Sequence, residues 1–439
     1  MYDNIFNELP IYRVLNGLNQ TQDFRRLSES SVVKADTSQD LQSFVLKLRQ
    51  AIGRPGVPFS TKIGTHPDFV SLQRGKSQRA AITSVFLDIK GSTQLFEKYD
   101  YERAFLMQEA IIQSAIYIIQ AFDGHVVRIQ GDGIFAVFGR NDYSVENGVL
   151  DSLNAASTLL IILESYLSEK FQSNGLKPLR VRVGIDHDKQ SLWRHNGIDG
   201  CNELSPHGYH VSMASKLQSK ANSNSIMIGE HIRELLHLPA ELISQKKYTE
   251  NGREKYDPFV RGDYKMWEFD WNSHASHFSW VTKASGKLLP SLNHAPDFTL
   301  HSALLNKDGV LDRKFSSSME VFKKGNSLKF SIGVLPKNCT VRWYVENRGE
   351  EAEAAKCLYY EIPDSRNKTN VERDTAYHGQ HFLICKVTYP SGKTIEKRIG
   401  VFIGHDWEPG TEREVTETRS SSSYFPTRNS SVLIPQRSF

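Results

Sequence analysis

The sequence has little of several features that mark specialised classes of protein. Only 4 of its 439 residues are cysteine, and these show no paired metal-ligand spacing, which argues against a disulfide framework and favours a reducing compartment. Lys and Arg total 54 against 50 for Asp and Glu, a net charge of +4 that is too small to indicate a nucleic-acid partner. The four widely spread cysteines are Cys201, Cys339, Cys357 and Cys385.

Long apolar runs are also missing. The longest, around Ala155 to Leu163, is about half of the ~20 residues that span a bilayer, so no transmembrane helix and no membrane partner are expected. The first residues, Met1 to Asn4, carry an early acid and lack the basic-then-apolar pattern of a signal peptide. Together these absences predict a cytoplasmic protein.

What the sequence does have is the composition of an ordinary globular protein, 39% hydrophobic and 24% charged, with a length that predicts two or three domains. The pattern of elements predicts an α+β fold followed by a β-sandwich. The expected segments are an N-terminal extension (1–75), a catalytic domain (76–271), a linker (272–296), a β-sandwich (297–405) and a disordered tail (406–439).

Two aspartates occupy positions suited to chemistry. Asp88 ends an apolar strand, and Asp132 lies in the hairpin turn Gly131-Asp132-Gly133, so a helix and a returning strand would bring them together. Carboxylate pairs of this kind hold Mg²⁺ or Mn²⁺. After Asp88, the turn Gly91-Ser92-Thr93 precedes a helix whose free N–H groups suit phosphate oxygens. Taken singly, either aspartate is more often a helix-start or turn residue.

Three segments in order resemble the class III nucleotidyl cyclase catalytic domain, over about Ala81 to Phe269. They are Phe86-Leu87-Asp88-Ile89-Lys90-Gly91-Ser92-Thr93, then Gly131-Asp132-Gly133-Ile134-Phe135-Ala136-Val137-Phe138-Gly139, then Val181-Arg182-Val183-Gly184-Ile185. The resemblance implies a ferredoxin-like βαββαβ core. It also implies a head-to-tail homodimer whose two active sites are shared between the chains.

The same resemblance implies roles for individual residues. Asp88 and Asp132 match the two metal-binding aspartates, and Ile89 matches the residue whose backbone carbonyl also meets a metal. Each active site would hold two Mg²⁺ or Mn²⁺ ions. Arg261, in place of a lysine, matches the triphosphate-binding cation, and arginine can bind phosphate bidentately.

Two further matches depart from the usual family residue. Ser212 stands where a transition-state asparagine is usual, and Lys216 stands where the transition-state arginine is usual. Serine still offers a hydrogen bond, and lysine still offers a cation to the reacting phosphate. Because of these changes, a catalytically silent module that only binds nucleotide remains an alternative.

Base choice in the family is made mainly at the positions of Arg128 and Ser205. This pair fits neither the adenylate nor the guanylate cyclase pattern, and a long arginine next to a carbonyl-bearing base favours a pyrimidine. A structural ion pair of Arg128 on the hairpin is the alternative.

The C-terminal part resembles an AGS-C sensor domain, through Val341 to Gly349 and Tyr377 to Leu383. Core packing is the favoured role for Trp343 and Tyr377. The whole chain is similar to the Pycsar pyrimidine cyclases of anti-phage defence, which implies conversion of CTP to cyclic CMP and pyrophosphate. It implies a separate effector that the cyclic nucleotide activates. UTP as the substrate, giving cyclic UMP, is the runner-up.

Overall fold

The computed structural model describes residues 45–198, 200–284, 287–290, 298–334 and 338–405. The predicted disordered tail at 406–439 and most of the predicted N-terminal extension lie outside these residues. Within the predicted extension, residues 45–51 are helical.

A mixed sheet forms the centre of the first domain. Its main path runs β10-β11-β6-β4-β1-β3-β2, with β5 paired to β4 and β7 paired to β11. The order β4-β1-β3-β2, with its two intervening helical connections, is that of a βαββαβ core, so the predicted fold class is confirmed. The strands are β1 (Ser77–Ile89), β2 (His125–Gln130), β3 (Gly133–Phe138), β4 (Val181–Ile198), β5 (Cys201–His207), β6 (Ser225–Gly229), β7 (Ile243–Ser244), β10 (Phe259–Arg261) and β11 (Tyr264–Phe269), and a separate hairpin joins β8 (Lys246–Glu250) to β9 (Arg253–Asp257).

Helices cover the sheet on both faces. They are α1 (Ser92–Lys98), α2 (Tyr101–Ala121), α3 (Val145–Ile162), α4 (Tyr209–Lys220), α5 (Glu230–Leu235) and α6 (Trp271–Ala275). The side chains of Asp100 and Ser144 cap α2 and α3 by accepting hydrogen bonds from backbone N–H groups of the first turn. Alternation along β1 sends Val85, Leu87 and Ile89 into the core beneath these two helices.

Two of the helical stretches are longer and more apolar than the sequence pattern indicated. Tyr101–Ala121 and Val145–Ser173, the latter made of α3 and its continuation through a π-helical turn, are long and apolar enough to cross a membrane by length and composition. However, 61% and 89% of their most apolar windows are buried inside the fold. Burial against a sheet accounts for this apolar character, as it does in core helices of other proteins.

The second domain packs two sheets face to face. One has the order β15-β14-β17-β20 and the other β16-β22-β21-β18-β19, and one apolar core takes side chains from both. This is the predicted β-sandwich. Its elements are β14 (Leu300–Leu305), β15 (Leu311–Phe315), β16 (Val321–Lys323), β17 (Ser327–Ile332), β18 (Thr340–Glu346), α7 (Glu350–Ala354), β19 (Tyr359–Glu361), β20 (Asn370–Asp374), β21 (Gly379–Thr388) and β22 (Thr394–Gly404).

The two aromatic residues singled out in the sandwich have different environments. Trp343 is fully buried and donates from Nε1 to the Lys368 carbonyl at 2.9 Å, so its core role is confirmed. For Tyr377 the prediction of core packing is wrong. Tyr377 is only half-buried, lies outside the apolar cluster and presents its carbonyl to His381 Nε2 at 2.8 Å.

The segments predicted as linker and extension carry ordered structure. Within 272–296 lie most of α6 and a hairpin of β12 (Val281–Ala284) and β13 (Lys287–Pro290), where buried Phe278 and Trp280 anchor the chain to the first domain. In the described part of 1–75, Arg49 pairs with Asp123 at 2.8 Å. The order within 272–296 was not predicted because the sequence there has weak periodicity and its contacts are long-range.

Candidate active site

Strand pairing brings the two predicted metal-binding aspartates side by side. Asp88 of β1 pairs directly with Gly133 of β3, the residue after Asp132. The hairpin can approach this closely because residue 133 is glycine: a Cβ there would lie 2.9 Å from the Leu87 carbonyl oxygen. Residues opposite each other in an antiparallel pair have Cα atoms about 4.5–5.5 Å apart, so both carboxylates belong to one small region.

The environment of Asp132 fits a bound cation. Its Oδ2 atom is buried and has no hydrogen-bond partner among the described residues, although buried polar atoms normally find one. Asp88 is 25% exposed and accepts hydrogen bonds at Oδ2. The side chain of Ile89 lies in the apolar core, so only its carbonyl is left to contact an ion. Hard oxygen donors of this set suit Mg²⁺ or Mn²⁺.

Two residues at this site were missed from the sequence. Arg182 of β4 donates from Nη2 to Asp88 Oδ2, and Gln218 of α4 donates from Nε2 to the same oxygen at 3.2 Å. Arg182 also pairs with Asp88 across the β1–β4 ladder. Arg182 could have been identified from the sequence, because it lies inside the family motif Val181 to Ile185. Gln218 carried no signal, because its contact depends on how closely α4 approaches the sheet.

The helix α4 is held at three points along its length, two on the central sheet and one on the β8–β9 hairpin. At Gly184 a Cβ would lie 2.2 Å from the Ala214 carbonyl oxygen, so β4 and α4 can pack at this distance only with glycine. Near the N-terminus, His210 Nδ1 lies 2.9 Å from the buried carboxylate of Asp186, whose pKa is raised by burial. Near the C-terminus, Lys220 pairs with Asp257 at 2.7 Å.

The predicted transition-state residues on α4 face away from Asp88. Ser212 is exposed and Lys216 is half-buried, one helical turn apart on the same face. Gln218, which contacts Asp88, is two residues beyond Lys216, and two residues turn about 200° around a helix. Within one chain the structure therefore does not bring Ser212 and Lys216 to the carboxylate pair.

The two predicted phosphate-binding elements are far apart. Gly91, with φ of 75°, precedes α1 just after β1, so Gly91-Ser92-Thr93 follows the metal-binding strand directly. Arg261 is exposed on β10, the far edge of the sheet. Four strand steps separate β10 from β1, about 19 Å at the usual spacing. That distance is beyond the reach of one arginine side chain.

The two predicted base-selecting residues meet in a polar cluster on the β2–β3 hairpin and β5. Arg128 Nη2 lies 2.7 Å from Glu203 Oε1, with both side chains partly exposed, so the structural ion pair kept as an alternative is present. Ser205 is buried and accepts from Asn196 Nδ2 at 3.0 Å. His207 lies 3.4 Å from Ser205, and burial, followed by the positive charges of nearby arginines that include Arg128, lowers its pKa.

Comparison with known proteins agrees with this architecture. Residues 75–269 match the model of the adenylate and guanylate cyclase catalytic domain, and residues 282–404 match that of the adenylyl/guanylyl and SMODS C-terminal sensor domain. Among solved structures, the chain is similar to an adenylyl cyclase from P. aeruginosa, with 20% identity, a TM-score of 0.37 and coverage of 44% of this chain and 95% of that one.

One relative with a curated function matches most of this chain, and another matches less than half of it. A cytidylate cyclase of Staphylococcus aureus is 34% identical over 394 residues, which cover 86% of this chain and 91% of that protein. A cytidylate cyclase of Escherichia coli is 36% identical over 201 residues, 44% of this chain and 43% of that protein. The predicted resemblance is thus confirmed, and the chain belongs to the cytidylate cyclase family, with a class III cyclase catalytic domain followed by an AGS-C domain.

Proposed function

We propose that the chain is a lyase that converts CTP to 3′,5′-cyclic CMP and pyrophosphate. In this reaction the ribose 3′-oxygen attacks the α-phosphate, its proton is lost and pyrophosphate leaves. The observation that carries the proposal is the carboxylate pair at the end of β1. Asp88 and Asp132 adjoin across one strand pairing, and a buried Asp132 oxygen has no partner in the described structure.

The chain's own residues supply binding and charge. Asp88, Asp132 and the Ile89 carbonyl would hold two Mg²⁺ or Mn²⁺ ions. Such ions lower the pKa of a bound hydroxyl and neutralise phosphate charge. The hydrogen bonds from Arg182 and Gln218 hold Asp88 Oδ2 in place and leave Oδ1 for a ligand. The turn Gly91-Ser92-Thr93 follows directly on β1 and would receive phosphate oxygens of the substrate.

The positions of the remaining residues favour a site shared between two copies of the chain. Lys216 and Ser212 face outward, and Arg261 lies about 19 Å from β1 across the sheet. A second copy related by a two-fold axis would present these side chains to the carboxylate pair. Exposed apolar side chains accompany them: Tyr209 is 50% exposed and Phe259 is 39% exposed. We therefore propose a head-to-tail homodimer.

Base selection would fall to the cluster around Arg128 and Ser205. The guanidinium of Arg128 can donate to a pyrimidine carbonyl oxygen, and Glu203 holds it in one orientation. Ser205 offers a hydroxyl from a buried position. CTP is favoured over UTP by the curated relatives, whose name specifies the cytidylate reaction.

The wider role follows the family resemblance. We place the enzyme in the cytoplasm, in agreement with its four cysteines, which form no disulfide in the structure, and in bacterial anti-phage defence. The cyclic nucleotide would act there on a separate effector protein.

A panel of four nucleoside triphosphates tests the reaction. Purified full-length protein is incubated with Mn²⁺ or Mg²⁺ and CTP, UTP, ATP or GTP, and cyclic products are separated by chromatography. Cyclic CMP as the main product supports the proposal. Cyclic UMP would instead make the enzyme a uridylate cyclase, and the absence of any cyclic product would indicate a silent nucleotide-binding module.

Mixing two inactive variants tests the shared site. Asp88→Asn removes a metal ligand and Lys216→Ala removes the outward cation, so neither homodimer should turn over. Random exchange of chains should restore about one quarter of the wild-type rate, because half of the dimers are mixed and each has one intact site. If every site lay within one chain, mixing would restore nothing.

A further inference from the structure

Three histidines from distant parts of the sequence meet where the two domains touch. His237 follows α5 in the cyclase domain, whereas His378 precedes β21 and His405 follows β22 in the C-terminal domain. One ring nitrogen from each lies within 4.8 Å of the other two. No motif in the sequence links these positions, since they are brought together only by domain packing.

The rings are arranged as ligands rather than as a random surface group. His237 Nε2 and His405 Nε2 are 3.1 Å apart, and the His237 and His378 rings stack with centroids 4.8 Å apart. A tetrahedral Zn²⁺ with bonds of about 2.0–2.1 Å to nitrogen needs its ligand atoms about 3.4 Å apart. The ring nitrogens of His237 and His405 are 3.1 Å apart and all three ligand nitrogens lie within 4.8 Å of one another, close to that spacing.

A carboxylate orients the middle histidine. Glu351 Oε1 lies 2.9 Å from His378 Nδ1, its other oxygen accepts from the His378 backbone N–H at 2.9 Å, and Lys324 pairs with it at 2.8 Å. With Nδ1 engaged in this way, His378 presents Nε2 to the other rings. Metal-bound histidines commonly have such a carboxylate partner.

The backbone also supports a close meeting of the domains at this point. Gly379 has φ of 111°, and a Cβ there would lie 3.2 Å from the His237 carbonyl oxygen. A side chain would therefore push the loop before β21 away from His237.

From this arrangement we propose that His237, His378 and His405 bind one Zn²⁺ ion that joins the cyclase domain to the C-terminal domain. Imidazole nitrogens select Zn²⁺ and related transition ions, whereas Mg²⁺ and Ca²⁺ take oxygen ligands. The site is therefore chemically distinct from the carboxylate pair at the end of β1. Three protein ligands leave a fourth position for water.

Zinc binding to the full-length chain tests the proposal. Protein freed of metal with a chelator is titrated with Zn²⁺ by calorimetry and with Co²⁺ by visible absorption. All measurements use an Asp88→Asn/Asp132→Asn background, so that the carboxylate site does not contribute. One ion per chain is expected, with the absorption bands of tetrahedral Co²⁺ that Zn²⁺ displaces.

Variants locate the site. His405→Ala and His237→Ala should lose the Zn²⁺ binding and the Co²⁺ bands, and Glu351→Gln should weaken Zn²⁺ by about 10–100-fold. His301→Ala, which replaces an exposed histidine of the same domain outside the cluster, should bind as the parent does. His405 is exposed and ends the described residues, so His405→Ala keeps the test valid if His237→Ala fails to fold.

Two results would overturn the zinc site. One is a parent protein that takes up no Zn²⁺ in the calorimeter. The other is a His405→Ala protein that binds Zn²⁺ as tightly as its parent. Neither result bears on the cyclase reaction, which depends on the separate carboxylate pair.

Discussion

The junction between the domains and the end of β1 differ in whether their buried charged groups have partners within the described chain. At the junction, Arg54 donates to both oxygens of Asp151, at 2.7 and 2.5 Å, and to the Met319 carbonyl at 2.7 Å. Asp151 is 1% exposed. At the end of β1, a buried oxygen of Asp132 has no partner in the described residues.

A second junction contact follows the same rule. Asn154 of α3 donates to the Ser318 carbonyl at 3.1 Å and lies 2.7 Å from the ring of buried His274. The buried charges of Arg54 and Asp151 and the side-chain amide of Asn154 are thus paired inside the chain, whereas a buried oxygen of Asp132 at the end of β1 has no partner among the described residues. Substitutions of the paired groups at the junction should lower stability, whereas substitutions of the carboxylate pair at the end of β1 should lower activity.

The largest effect is expected from Asp132→Asn. Loss of a metal-binding carboxylate should lower kcat/KM for CTP by about 10³–10⁴-fold, equivalent to about 4–5.5 kcal/mol. The free energy of unfolding should change by less than about 1 kcal/mol, because the lost oxygen has no partner among the described residues. Initial rates of cyclic CMP formation and urea denaturation measure the two quantities. Asp142→Asn, at a turn residue that is 79% exposed, is the matched control, and an Asp132→Asn enzyme within tenfold of wild type would remove Asp132 from the mechanism.

Arg54→Met should show the reverse pattern. Removing the guanidinium leaves Asp151 buried without its charge partner, which costs about 3–5 kcal/mol of unfolding free energy, while the carboxylate pair at β1 is untouched. Urea denaturation compares it with Arg103→Met, whose partner Asp100 is half-exposed and which should cost about 0–1 kcal/mol. Equal losses for the two variants would mean that burial does not distinguish the pairs.

The next largest effect is expected from acidification, which should lower the free energy of unfolding. Burial lowers the pKa of His66, and likewise of His187 and His274, to about 3 from the model-peptide value of 6.5. As the pH falls below 6.5, these histidines bind protons in the unfolded chain but stay neutral in the folded chain. Each should therefore lower the free energy of unfolding by about 2 kcal/mol between pH 7 and pH 5. Burial raises the pKa of Asp151 to about 6, which offsets about 1.4 kcal/mol of this loss over the same range.

The His66→Phe variant isolates one of these contributions. His66 lies among the rings of Phe59, Phe69 and Trp193, so phenylalanine should be accommodated there. The difference in unfolding free energy between pH 7 and pH 5, measured by urea denaturation, should shrink by about 2 kcal/mol. An unchanged difference would show that His66 does not resist protonation.

The smallest effect is expected at the exposed pair of Arg128 and Glu203. Arg128→Lys should change stability by less than about 1 kcal/mol, but should alter the ratio of kcat/KM for CTP over ATP by about 2- to 10-fold, the value of one hydrogen bond. Competition assays with both nucleotides measure this ratio. Lys247→Arg, at another exposed ion pair, is the control. Equal CTP-to-ATP ratios in the wild type, Arg128→Lys and Lys247→Arg would show that Arg128 forms a structural ion pair and does not select the base.

Much of the catalytic domain could be predicted from the sequence because its strands, turns and motifs are set by residues close together in the chain. The strand before Asp88, the turn at Asp132 and the helix that begins after Gly91 depend on neighbours in the chain, and the family motifs include the same residues. The segment around Phe278 and Trp280 was not readable, since its order comes from contacts with residues more than one hundred positions away.

The sequence by itself determined the fold class, the family, the carboxylate pair and the residues expected to surround it, because strand periodicity, turn chemistry and short motifs are properties of adjacent residues. Only the tertiary structure decided that Arg182 and Gln218 contact Asp88, that Lys216 and Arg261 lie away from it, and that three histidines converge between the domains. These relations join residues tens to hundreds of positions apart. They depend on how closely helices and sheets pack, which a pattern of neighbours does not encode.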